Sequence, residues 1–149
     1  MLFIFGLLAS ITSVRANQGS LIVFNVDLIC DKPYWCFDLT MIETDFDRDD
    51  VLARAKQVCT SEPEIHTYLT GFESDDGLGD NDIEVIIKTK TNCTIGNKIQ
   101  TGPMMYEYNN YLELESKEFE FNTWFWPWQD YNIEKVHVKF DFVKKEVSY

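Results

Sequence analysis

Four cysteines, Cys30, Cys36, Cys59 and Cys93, are the residues of this chain best suited to covalent chemistry. In an oxidising compartment an even number of cysteines predicts disulfides, and four cysteines allow three pairings. Cys30 and Cys93 each end an alternating strand on its apolar face, which favours a bridge between them through the core. Cys36 and Cys59 lie at equal distances from an Asp-rich turn, so they face each other in an antiparallel hairpin. A local Cys30–Cys36 bridge around Pro33 is the alternative.

Residue types and spacing give little support to metal binding or catalysis. The sequence has no Cys-x-x-Cys pair, and its two histidines, His66 and His137, are not spaced as ligands. We interpret the acidic segments 47–50 and 75–82 as solvated turns, and the second does not fit the register of an EF-hand. No nucleophile motif, phosphate loop or dinucleotide motif occurs. We therefore expect no catalytic residues, no cofactor and no metal site, and a protein that is not an enzyme.

Asn92 begins the sequon Asn92-Cys93-Thr94, the acceptor pattern for N-glycosylation. The strand that ends at Cys93 points that cysteine inward, so its neighbour Asn92 should point outward and be reachable. A disulfide at Cys93 would hinder modification. A glycosylated and an unmodified Asn92 therefore both stay open at this point.

The aromatic run Trp124-Phe125-Trp126-Pro127-Trp128 is a candidate for partner contact. Pro127 cannot donate to a central ladder, so we predict an edge or a loop here. Tryptophan is enriched at binding hot spots, which makes Trp124, Phe125, Trp126 and Trp128 a candidate docking patch for a protein, glycan or lipid. We favour the other interpretation, that these side chains close the end of the fold, because large aromatic residues usually belong to the core.

The elements that position these residues are strands, because apolar and polar residues alternate with period two along much of the chain. The clearest segments are 21–30, 83–93 and 136–143. A further short strand at 65–70 is predicted to end at Gly71. No long amphipathic helix is evident. Seven or eight short strands with acidic and glycine turns predict an all-β, two-sheet antiparallel β-sandwich held by two disulfides of about 2–4 kcal/mol each.

The first residues of the chain predict secretion. The apolar stretch 2–9 precedes Val14 and Ala16, which match the small-residue positions of a cleavage site, so we predict a signal peptide at 1–16. Residues 17–149 then form a single domain. No other stretch of about 18 apolar residues occurs, so the mature protein should not be transmembrane. The net charge of −12 disfavours nucleic acid and anionic membrane surfaces as general partners.

Several short motifs follow one another in a recognisable order. They are Val26-Asp27-Leu28-Ile29-Cys30-Asp31-Lys32-Pro33, the acidic segment 41–45, Asp49-Asp50-Val51-Leu52-Ala53, Gly71 with Glu73, and the strand ending at Cys93. This order resembles the nematode-type transthyretin-like family. The chain resembles a divergent member of that family. Residues 61–64 replace the family's Asn-Gly turn, and residues 90–92 replace the aromatic or histidine-rich segment that precedes its second cysteine. The resemblance implies secretion and a transthyretin (prealbumin-like) sandwich, without a defined mechanism.

Taken together, these patterns predict a secreted, non-catalytic protein that binds or bridges extracellular partners, as a cell-surface component does. Its partner would be a protein, a glycan or a lipid. A carrier of a small hydrophobic ligand is the alternative. A secreted hydrolase ranks third, because enzymes that share the transthyretin fold rely on several histidines and a C-terminal Tyr-Arg-Gly-Ser. This chain has two histidines and ends in Val-Ser-Tyr.

Overall fold

The computed structural model of this chain describes residues 19–45, 48–74, 82–93, 111–122 and 131–149. Regular structure within these ranges consists of strands. The nine strands are β1 (Gly19–Ile29), β2 (Trp35–Glu43), β3 (Asp50–Thr60), β4 (Glu64–Ser74), β5 (Asp82–Thr91), β6 (Leu112–Glu115), β7 (Phe119–Asn122), β8 (Tyr131–Asp141) and β9 (Glu146–Ser148). The described segments contain no helix of the length and hydropathy needed to cross a bilayer.

The strands form two sheets, which confirms the predicted all-β sandwich with two disulfides. One sheet has four strands in the order β4-β1-β8-β9. The other has five, in the order β3-β2-β5, with β6 and β7 pairing successive parts of β5 along the same edge. One pairing departs from the antiparallel pattern expected from the sequence, because β1 and β8 run parallel.

The core lies between the two sheets and contains the side chains that the alternation predicted to point inward. The largest fully buried side chains include Trp35, Phe24, Phe37, Phe140 and Phe142. Edge-to-face contacts join the sheets, for example the Phe24 ring to the Phe119 ring at 5.3 Å between centroids, and Trp35 to Phe142 at 5.8 Å. Such contacts between aromatic rings add to the stabilisation that burial alone supplies.

The hairpin of β2 and β3 places Cys36 directly opposite Cys59. Two register shifts lie between this pair and the turn, because β3 is bulged relative to β2. At the first bulge Gln57 adopts a positive φ of 52°, and its backbone N–H donates to the carboxylate of Asp38. This hydrogen bond satisfies a donor that the bulge removes from the ladder. The residues of the turn itself, 46–47, lie outside the described ranges.

Gly71 does not end a strand, as the sequence suggested, but lies inside β4, which continues to Ser74. It is buried where the two sheets meet. A Cβ atom at this position would lie 2.8 Å from the Cβ of Leu52 and 2.8 Å from the Sδ of Met41. The glycine is therefore needed for close packing between sheets, and the prediction of a strand end at this residue is wrong.

Candidate functional site

The outer face of the four-stranded sheet, opposite the core, carries a regular array of side chains from β4, β1 and β8. Strand pairing arranges them in five cross-strand rows. From one end these rows are Phe72–Leu21–Ile133, Thr70–Val23–Lys135, Tyr68–Asn25–His137, His66–Asp27–Lys139 and Glu64–Ile29–Asp141. One end of this face is thus apolar and the other end is ionisable.

The ionisable end contains both histidines of the chain in contact with one carboxylate. The Nδ1 atom of His66 lies 2.6 Å from Oδ1 of Asp27, and the Nε2 atom of His137 lies 2.8 Å from Oδ2. We call these three residues the His–Asp cluster. An ionised carboxylate only accepts hydrogen bonds, so both ring nitrogens that face it are donors. Each oxygen of Asp27 therefore has its own histidine.

The backbone register explains why these side chains meet. His66 is the direct antiparallel partner of Asp27, so their side chains emerge side by side on the same face. His137 pairs with Asn25, one row away, and reaches Asp27 from the other side. The cluster bridges three adjacent strands, and the sheet fixes the backbone positions from which its side chains extend.

The same contacts shift the ionisation of the cluster. Partial burial acts to raise the pKa of Asp27, but the hydrogen bonds from His66 and His137 outweigh it, and this pKa lies below its usual value. The hydrogen bond and charge of Asp27 raise the pKa of His66 above its usual value. Asp27 is therefore held ionised, and His66 keeps its proton to higher pH than a free imidazole.

The next row brings a second carboxylate and an ammonium group close to the cluster. Glu64 lies two residues before His66 on the same face of β4. Ligand atoms of Asp27, Glu64 and His66 all lie within 4.8 Å of one another. The Nζ atom of Lys139 lies 3.9 Å from Oε1 of Glu64 and partly balances the local negative charge.

The apolar patch, which comprises Leu21, Val23, Phe72 and Ile133, occupies the opposite end of the outer face. Phe72 and Ile133 are each about half exposed (51% and 52%), while Leu21 and Val23 are half-buried between them. The Phe72 ring lies directly over the backbone of Gly19, where a Cβ atom would collide with it. Large apolar side chains clustered on one exposed face are typical of contact surfaces.

The His–Asp cluster combines two imidazole rings and one carboxylate with neighbouring apolar surface. An Asp–His pair can orient a general base, but a hydrolytic site also needs a nucleophile within hydrogen-bond reach of the ring. The rings of His66 and His137 each make a hydrogen bond to Asp27.

The four cysteines are paired as strand parity and hairpin symmetry favour. Cys30 is bonded to Cys93 and Cys36 to Cys59, and the described ranges include no free cysteine. Cys30, Asp31 and Cys93 lie close enough together to suggest a metal site. The sulfur atoms of Cys30 and Cys93 form a disulfide, however, and a disulfide offers no thiolate to a metal. This group is therefore structural.

Asn92 is half-buried and takes part in the ladder next to the second disulfide. Its side-chain Oδ1 accepts a hydrogen bond of 2.7 Å from the backbone N–H of Cys36, and its own N–H donates to the carbonyl of Cys36 at 3.2 Å. Asn92 thereby extends the pairing of β2 with β5. Glycosylation of Asn92 stays a prediction, and Thr94 lies outside the described residues.

The remaining predicted site residues fall in segments that the structure does not describe. Trp124, Phe125, Trp126 and Trp128 lie within 123–130, and the predicted signal peptide lies within 1–18. Their roles stay predictions. The His–Asp cluster was not predicted from the sequence, because His66 and His137 are far apart along the chain. One feature of the sequence did point to the cluster. The alternation of apolar and polar residues places Asp27 in β1 and His137 in β8 on the outward faces of their strands.

Comparison with models of protein families identifies the family of the chain. A family described as "Caenorhabditis elegans protein of unknown function (DUF870)" matches residues 25–126. The chain belongs to the DUF870 family. The match begins inside β1 and includes Asp27 and His66 but not His137. The description of the DUF870 family does not mention transthyretin. No curated protein and no solved structure shows a significant match to the chain.

Proposed function

We propose that this chain is a secreted, non-catalytic protein of the transthyretin-like type that binds an extracellular protein through the outer face of its four-stranded sheet. The observation that carries the proposal is the apolar patch, with Phe72 and Ile133 each half exposed on a regular sheet face. Protein contact surfaces commonly combine an aromatic and aliphatic centre with a polar rim. Here the His–Asp cluster and Lys135 supply polar groups beside the patch.

Two further observations support the proposal, one for the extracellular location and one for a protein partner. Both disulfides are buried or half-buried within the fold, and such bridges persist in oxidising compartments. The charge of the chain supports a protein partner over an anionic lipid surface, because a net charge of −12 repels anionic headgroups. No observation among the described residues favours the carrier alternative, since large side chains such as Trp35 and Phe24 fill the space between the sheets.

The test is binding of the purified secreted protein to intact cells and to protease-shaved cells of its source organism. We expect saturable binding that disappears after shaving and is lost in the double variant Phe72→Ser and Ile133→Ser. Val51→Ser is the matched control, because Val51 is equally exposed (52%) but lies on β3 of the other sheet. Circular dichroism should show that all variants fold.

The outcomes separate the possible surfaces and partners. Undiminished binding of the double variant would contradict the proposed face, and loss only in variants of the run 124–128 would assign binding to that run. Binding that survives shaving would indicate a glycan or lipid. No saturable binding to any cell preparation would contradict the binding function itself.

A further inference from the structure

The second carboxylate next to the His–Asp cluster completes a set of donor atoms that the sheet holds in place. Asp27 and His66 are register partners, and Glu64 precedes His66 by two residues on the same face of β4. One ligand atom of each residue lies within 4.8 Å of the other two. Two donors bound to one zinc ion lie at most about 4.4 Å apart, twice the longest zinc–carboxylate distance. Small side-chain rotations are therefore enough to bring all three donors onto one ion.

The donor types indicate which ion. One imidazole nitrogen and two carboxylate oxygens suit Zn²⁺ and Cu²⁺, which accept mixed nitrogen and oxygen ligands, better than Ca²⁺, which prefers six or more oxygens. We propose that Asp27, Glu64 and His66 form a binding site for a divalent transition-metal ion of the Zn²⁺ or Cu²⁺ type. The net charge of the chain draws cations toward such a site.

His137 acts as a positioning residue in this site. Its Nε2 atom contacts Oδ2 of Asp27, which leaves Oδ1, on the side of His66, to face the ion. Hydrogen bonds to a ligating carboxylate fix its orientation, and their loss commonly weakens metal affinity by about 10–100-fold. The two histidines therefore have different roles although both contact Asp27.

Two positive charges in the site, the proton on His66 and the ammonium of Lys139, weaken the binding of a cation. The proton that His66 donates to Asp27 must leave Nδ1 when a metal binds there. Lys139 places a positive charge 3.9 Å from Glu64. The side chains of His66 and Glu64 are 71% and 45% exposed, so both can rotate without disturbing the core. Removing the charge of Lys139 should strengthen binding, a result that a purely structural role of these residues would not produce.

The experiment is calorimetric titration of the untagged, chelator-treated protein with Zn²⁺ and, separately, Cu²⁺, in a non-coordinating buffer at near-physiological salt. Imidazole signals are followed by NMR in parallel, since the chain has two histidines. We expect one ion per chain, loss of binding in His66→Ala, and weakening by about tenfold or more in His137→Gln. Lys139→Met should bind about two- to fivefold more tightly.

Glu64→Gln and Glu120→Gln form the matched pair for the carboxylate ligand. Both substitutions remove one exposed carboxylate, but Glu120 lies on β7 of the other sheet. Only Glu64→Gln should weaken binding. Equal effects of the two variants, binding that His66→Ala leaves unchanged, or imidazole signals that do not move at saturating metal would each overturn the proposal. None of these readouts depends on a protein partner, so the result is independent of the proposed binding function.

Discussion

Ser116 fills the gap where β6 ends and β7 begins, and its replacement by alanine should destabilise the fold. The hydroxyl Oγ accepts a hydrogen bond of 2.9 Å from the backbone N–H of Ile87 and donates to the carbonyl of Lys117 at 2.7 Å. The backbone N–H of Ser116 also donates to the carbonyl of Ile87 at 2.9 Å. Between β6 and β7 the edge strand is interrupted and offers no backbone carbonyl to the N–H of Ile87. The hydroxyl of Ser116 takes the place of that acceptor.

The expected magnitude follows from burial. Ile87 is fully buried and Ser116 is 5% exposed, so water cannot reach the N–H of Ile87 if Oγ is removed. A buried donor left without an acceptor costs about 1–3 kcal/mol. The carbonyl of Lys117 is at the exposed edge and can turn to water, so we expect Ser116→Ala to lower the free energy of unfolding by about 2 kcal/mol.

Urea denaturation followed by far-UV circular dichroism measures this change, with NMR hydrogen exchange of the Ile87 amide as the local readout. Ser148→Ala is the control because Ser148 is exposed on β9, and surface substitutions usually stay within about 0.5 kcal/mol. Ser116→Thr, which keeps the hydroxyl, should recover part of the loss. If Ser116→Ala and Ser148→Ala have equal effects, or if exchange at Ile87 is unchanged, the hydroxyl is not the required acceptor.

Three further predictions concern packing, ionisation and the last strand. Gly71→Ala should destabilise by about 1–2 kcal/mol in urea, because overpacking outweighs the gain from losing a flexible glycine; a stabilised variant would contradict this. Asp27→Asn should lower stability most between about pH 4 and 6.5 in chelator-treated protein. Below this range the stabilisation by Asp27 is lost as pH falls through its lowered pKa, and above it the stabilisation by His66 is lost as pH rises through its raised pKa. Stability–pH curves of parallel shape for the two proteins would refute it. Tyr149→Phe should lower the free energy of unfolding by under about 1 kcal/mol, because the exposed backbone N–H of Lys117, which donates to the hydroxyl at 2.6 Å, can bond to water instead. Tyr149→Ala should cost more, because it also removes the contact of the ring with the Lys117 ammonium. Equal losses in the two variants would show that the ring contributes nothing.

Local patterns along the chain predicted the strands and their buried faces, because alternation is a property of each segment. Ile22, Phe24, Val26 and Leu28 are all fully buried, as the spacing in β1 required. The pairing of Cys36 with Cys59 was predicted from the hairpin as well, and it holds because of the bulges. The last pair before the turn, Glu43 with Asp50, is centred one residue before the midpoint of the two cysteines, and the two bulges of β3 make up the difference. These features needed no knowledge of how distant strands pair.

Features that depend on distant pairings were not predictable in the same way. The parallel contact of β1 with β8 decides that His137 reaches Asp27, and nothing within either strand specifies that partner. The sequence predicts a strand end at Gly71 because glycine weakens strands. In the structure a glycine is needed there because Leu52 and Met41 of the other sheet approach its Cα closely. The candidate site is therefore a product of sheet order, which a single sequence does not reveal.

The central place of β1 in its sheet has a consequence for the order of events during synthesis. Asp27 and His137 are separated by 110 residues, so at about 5–20 residues per second roughly 5–20 s pass before β8 follows β1 out of the ribosome. Until then one edge of an apolar strand has no partner, and such edges are prone to associate with other chains. The nascent chain should therefore depend on chaperones until its C-terminal strands emerge, and its folding should be slow, as is typical of proteins dominated by contacts between distant residues.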